Sequence, residues 1–180
     1  MHATVCDIIA DLVQNSVEAA ASLVELDVQT GPGTVKIRVA DNGKGMDEET
    51  LARSTDPFYS EAGKHDHRRV GLGLPLLLQT VEASGGKADI SSAPGAGTTI
   101  EFAFDTSNID MPPFGDLPDT ALVLMASRGH HELILRRVTP NDAYTVRRSD
   151  LTATLGDLET SGNLILARQY MRSQEQNLIK

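Results

Sequence analysis

Val35-Lys36-Ile37-Arg38-Val39-Ala40-Asp41-Asn42-Gly43-Lys44-Gly45-Met46 carries an alternating strand straight into an acid followed by two spaced glycines. Val35, Ile37 and Val39 fall on one face, as in a strand covered on one side. Just upstream, Val24, Leu26 and Val28 alternate through a second strand, and Gly31-Pro32-Gly33 supplies the turn between them. The pair reads as an antiparallel hairpin. Ahead of it, Val5, Ile8, Ile9, Leu12, Val13, Val17 and Ala20 recur at helical spacing from Val5 to Ala21, with Asp11, Asn15 and Glu18 on a different face.

Downstream, Asp47 to Arg53 predicts a short helix. Phe58 to Arg69 is polar and aperiodic, so a mobile loop is expected. Gly71 to Ser84 predicts a mostly buried helix that stops at Gly85-Gly86. Lys87 to Ser92 and Thr98 to Asp105 flank Ala93-Pro94-Gly95-Ala96-Gly97 as a second hairpin. The prolines and glycine of Thr106 to Pro118 mark a linker. Beyond it, Ala121 to Ala126 and Glu132 to Val138 read as a strand pair around Arg128-Gly129-His130, and Asp150 to Lys180 as helical pieces broken near Ser161-Gly162.

Bulk properties narrow the functional classes. The chain has 180 residues, 40% of them hydrophobic and 23% charged, with a formal net charge of −9. That balance suits a globular chain, and its acidity argues against nucleic acid as the main partner, because phosphate neutralisation needs a basic surface. No apolar run reaches the roughly 20 residues of a membrane span. Met1-His2-Ala3-Thr4 lacks the features of a signal peptide, so a cytoplasmic protein is expected. The one cysteine, Cys6, excludes an internal disulfide and reads as a packed apolar residue at a helix start.

Four segments carry chemistry: Asp11 to Ser16 on the opening helix, Asp41 to Met46 after a strand, Asp56-Pro57-Phe58, and Gly71-Leu72-Gly73-Leu74 at a helix start. An acid at a strand end can accept a hydrogen bond from an exocyclic amine such as that of adenine. Gly43 and Gly45 let the backbone approach a flat base. An amide oxygen on a helix face suits Mg²⁺, which takes few protein ligands. Gly71 and Gly73 at a helix N-terminus offer unpaired N–H groups to phosphate.

In this order the segments resemble the asparagine box, the two glycine boxes and the phenylalanine box of the GHKL ATPase superfamily, over about Val5 to Asp105. The resemblance implies an α+β fold: a two-layer α/β sandwich with a mixed, mostly antiparallel sheet and helices on one face. A C-terminal strand pair and helices are expected to follow. It divides the chain into an ATP-binding domain over 1–105, a linker over 106–118 and a C-terminal extension over 119–180. ATP and Mg²⁺ are the implied cofactors. Asn15 would ligate the metal, Asp41 would bond the adenine amine, and Gly43, Gly45 and Met46 would line the base. Gly71, Leu72 and Gly73 would meet the phosphates, with Phe58 anchoring a lid. Asp11 stands where hydrolysing members carry a glutamate, so it is the candidate base, or else a partner of a magnesium-bound water.

Lid residues Lys64, Arg68 and Arg69 are candidates for the γ-phosphate. His65 and His67 read as solvated, as do His130 and His131 in an apparent turn. Met111, Met125 and Met171 read as packing residues. Arg69 and Val70 replace the glycine and threonine that sensor kinases commonly carry. Neither a phosphoacceptor hairpin nor the family's first strand and helix precedes Val5, so a module is expected, with one sheet edge left for covering. The implied activity is that of a stand-alone kinase or ATPase acting on an unidentified partner protein. The alternatives are a non-catalytic ATP sensor and an ATP-gated homodimer of clamp type.

Overall fold

A computed structural model of the chain describes residues 3–56, 73–129 and 131–178. The helix α1 (Val5–Glu18) opens on a capping box, in which the Thr4 hydroxyl accepts from the Asp7 N–H and the Asp7 carboxylate accepts from the Thr4 N–H. Strands β1 (Leu23–Gly31) and β2 (Thr34–Asp41) form the expected hairpin, closed at Gly31 and Thr34. α2 (Glu48–Thr55) is a surface helix capped by Asp47, and the described part of the next helix is α3 (Gly73–Ala83). β3 (Lys87–Ala93) and β4 (Gly97–Asp105) form the second hairpin. Then follow α4 (Leu117–Ala126), β5 (Glu132–Val138), β6 (Ala143–Arg147), α5 (Arg148–Leu155) and α6 (Ser161–Leu178).

The six strands of the described residues join one sheet in the order β3-β4-β2-β1-β5-β6. Among the described residues only the β1–β5 pairing is parallel, so the sheet is mixed and mostly antiparallel. Alternation puts Val24, Leu26, Val28, Val35, Ile37, Val39, Ile100, Phe102, Phe104, Leu133 and Leu135 into the core under the helices. The opposite residues form an open, charged face, where Arg38 on β2 reaches Asp27 at 3.2 Å and Glu101 at 3.4 Å. This is the expected two-layer α+β sandwich.

One element is corrected. Ala121 to Ala126 is part of helix α4, whereas the sequence predicted a strand there. Its run of Leu122, Val123, Leu124 and Met125 suits a strand covered on both faces and a buried helix equally well. Signals that favour the helix lie upstream: Asp116 caps the Asp119 N–H at 2.9 Å, and Pro118 stands in the first turn. The strand pair of the C-terminal region is β5–β6 instead. The helical break also shifts, to Gly156 (φ +85°) through Thr160, with Ser161-Gly162 opening α6.

The segment before α4 is bonded to the opening helix. The Pro113 carbonyl accepts from the Val5 N–H and the Phe114 carbonyl from the Cys6 N–H, both at 2.9 Å, which satisfies two otherwise orphan donors of α1. Cys6 is buried as expected, and burial pushes its thiol pKa up to about 11. Met125 and Met171 are fully buried in the core. A buried network locks α6 to the sheet: Arg137 of β5 meets Glu175 at 3.3 Å and Thr30 at 3.0 Å, and the Tyr144 hydroxyl donates to Glu175 at 2.8 Å. A second correction concerns His131, which is only 3% exposed where the sequence predicted a solvated turn. It lies under the end of α4 rather than at a loop tip.

Candidate functional site

Asp41 ends β2, and three donors hold its carboxylate. Oδ1 accepts from the Gly43 N–H at 2.8 Å and the Thr98 N–H at 3.3 Å, while Oδ2 accepts from the Ser16 hydroxyl at 2.8 Å. Each partner comes from a different element. Thr98 lies opposite Asp41 in the β2–β4 register, and Ser16 projects from the buried side of α1. A carboxylate oxygen can accept two hydrogen bonds. Oδ1 is therefore filled, and Oδ2 keeps one lone pair among the described residues.

The loop after Asp41 is packed too tightly for side chains. A Cβ on Gly43 would stand 2.9 Å from the Ala19 carbonyl oxygen and 3.0 Å from Asp41 Oδ1. Gly45 has φ +63°, and its Cβ would overlap the Ala93 carbonyl in the β3–β4 turn. The Lys44 N–H donates to the Ala19 carbonyl, and the Lys44 carbonyl accepts from the Gly95 N–H. The Met46 N–H donates to Ser92 Oγ at 2.8 Å. Asn42 clips the loop to the start of β1, its Oδ1 accepting from the Ser22 and Leu23 N–H groups at 2.9 Å each.

Around this loop lies a cavity of about 340 Å³, lined on one side by Asn15, Ser16 and Ala19 of α1 and its cap, and on the other by Asp41, Gly45, Met46 and Thr98. Leu74 and Gly73 close the end next to Asn15, where a Cβ on Gly73 would stand 3.4 Å from the Asn15 amide nitrogen. The volume is within the usual range for a ligand site. The structure thus gathers Asn15, Asp41, Gly45, Met46 and Gly73 around one space. Asp11 lies one helical turn before Asn15, outside the cavity's described lining, as does Gly43. Phe58, Gly71 and Leu72, like the expected lid and its cations, are outside the described residues. So are His65, His67 and His130.

Ser16 and Thr98 were not singled out from the sequence, although they orient the central acid. Ser16 left a legible signal, a polar residue four positions after Leu12 on the core-facing side of the helix. Thr98 left none, because its role depends on strand register. Among the described residues, no group of three or more histidine, cysteine, aspartate or glutamate residues could hold a metal ion, and no helix is long and apolar enough to cross a membrane.

Fold and pocket together define the class, a two-layer α/β sandwich with a ligand-sized cavity between its opening helix and the loop after β2. The chain belongs to the histidine kinase-, DNA gyrase B- and HSP90-like ATPase family, whose model matches residues 3–108. The sensor histidine kinase YxdK of Bacillus subtilis is 32% identical over 102 residues, covering 54% of this chain and 31% of that protein. The sensor histidine kinase ZraS of Klebsiella oxytoca is 43% identical over 74 residues, covering 41% of this chain and 15% of that protein. The chain thus spans less than a third of the length of either kinase. Among solved structures, the N-terminal domain of a DNA repair protein superposes with a TM-score of 0.53 at 14% identity, over 89% of this chain and 58% of that one. That likeness is one of fold, and it reaches beyond the residues matched by the family model.

Proposed function

We propose that the chain binds ATP with Mg²⁺ and passes the γ-phosphoryl group, or the energy of its hydrolysis, to a partner protein. The observation that carries this reading is the Asp41 carboxylate: three donors from three elements hold it, and one acceptor position stays open. Such an acid suits the amino group of adenine, with Gly45 and Met46 beside the ring. Asn15 and Gly73 then lie at the phosphate end of the cavity. The donor set fits the metal, since Asn15 offers a neutral amide oxygen on an exposed helix face and Mg²⁺ asks for few protein ligands. When bound, Mg²⁺ supplies charge neutralisation to the phosphates. Asp11, one turn before Asn15 on the same helix, is either the proton acceptor for the attacking group or a partner of a magnesium-bound water.

Calorimetric titration tests the proposal. ATP binds tightly only with Mg²⁺, and Asn15→Ala removes that dependence while adenosine binding persists. A folded protein that binds no ATP refutes it. Incubation with labelled ATP, with released phosphate and protein-bound label measured separately, then distinguishes hydrolysis, transfer and binding alone.

A further inference from the structure

His131 stands just before β5, and both its ring nitrogens are buried without a hydrogen-bond partner among the described residues. An unpaired imidazole in the interior is costly to keep, so its surroundings call for an explanation. Arg148, at the start of α5, closes the corner around it. Its Nε donates to the Met125 carbonyl at 2.7 Å, one Nη to the His131 carbonyl at 2.7 Å, and the other to the Ser127 carbonyl at 3.5 Å. One guanidinium thereby ties the end of α4 to the start of β5. Gly129 leaves room for the ring, since a Cβ there would stand 2.9 Å from His131 Nδ1.

We propose that His131 is a proton-operated latch on the C-terminal unit: neutral, it fills the corner under Arg148, and charged, it drives that corner open. Two like charges would share a site with little water, and Arg148 cannot give up its proton. The charged groups acting on the ring are Arg148 from α5 and Glu132 from β5. α4 and its cap present the backbone carbonyls of Leu124, Met125 and Ser127. Arg128 is exposed and pairs with Glu159 at 3.6 Å. Glu132 is already engaged, accepting from the Ser149 N–H at 3.2 Å.

Burial holds the His131 pKa below the ordinary histidine value and the Arg148 charge adds to this; the Glu132 carboxylate opposes them, as does the Leu124 carbonyl, which faces the ring but lies outside hydrogen-bond geometry. The unfolded chain therefore takes up this proton more readily than the folded one. The stability that neutral His131 secures is fully present above about pH 6.5, and it is lost as pH falls through the folded-state pKa. The corner borders the nucleotide loop, because the Glu132 N–H donates to the Ser22 carbonyl and the Ser22 N–H to Asn42 beside Asp41.

The test compares the whole chain with His131→Gln, without nucleotide, from pH 7.5 down to pH 5. Below about pH 6.5 the unfolding constant of the parent rises relative to the variant, by at most about tenfold per pH unit for the one proton involved. Hydrogen exchange of amides over residues 121–135, corrected for intrinsic rate, accelerates on acidification in the parent and not in the variant. Parallel pH profiles for the two proteins overturn the proposal. Should His131→Gln not fold, NMR titration of the parent's assigned His131 ring decides: a midpoint below the ordinary value supports the latch, and one at or above about 6.5 overturns it.

Discussion

Replacing Asp41 by Asn tests the centre of the site with little cost to the fold. Asp41 Oδ1 accepts two backbone N–H groups, so the amide oxygen of Asn takes that place and keeps both bonds. The amide nitrogen then stands at Oδ2, facing Ser16. The Ser16 hydroxyl can turn to donate to the Leu12 carbonyl, which it already reaches at 3.2 Å, and accept from the new amide. The loop should hold. If Asp41 meets the adenine amino group as proposed, the ligand side has no such escape, because a donor would then face that group. Losing a hydrogen bond to a charged acceptor costs about 1.5–3 kcal/mol, which is about tenfold to 150-fold in affinity. Calorimetric titration with ATP and with adenosine should show the same loss for both, since the change lies at the base, while the thermal midpoint stays within a few degrees. Affinity within twofold of the parent in a folded variant would refute the assignment of Asp41 to the base.

Gly45→Ala should damage the fold itself. The new methyl would overlap the Ala93 carbonyl, and φ of +63° disfavours any side chain, so thermal melting should show a loss of at least about 2 kcal/mol. An unchanged midpoint would mean that the loop packs differently. Truncation after Asn108 should leave a chain that aggregates or melts more than about 10 °C lower. It strips β5 from the edge of β1, removes α4 from α1, and frees the Val5 and Cys6 N–H groups. A truncated chain as soluble and stable as the parent would show that the C-terminal region contributes nothing to the core.

Local pattern was enough for the elements between Val5 and Asp105. Alternation at period two and apolar recurrence at period 3.6 are properties of a few consecutive residues, so both hairpins and the opening helix were legible within a residue or three of their ends. The residues around the cavity were legible for a related reason. Asp41 and Gly45 are tied to one turn, and Asn15 to one helix face. Tertiary structure decided what such windows cannot hold. The run Leu122 to Met125 could bury itself in either form, and its contacts with α1 and α6 settle on a helix. The expected free sheet edge is covered by β5, more than a hundred residues from β1 and parallel to it, a pairing with no local trace. Ser16 and Thr98 meet Asp41 across 25 and 57 residues. His131 and the Arg137–Glu175 pair look like surface residues in sequence, because polar side chains usually are. They are buried because distant helices close over them, and burial belongs to the assembled layers rather than to the residue.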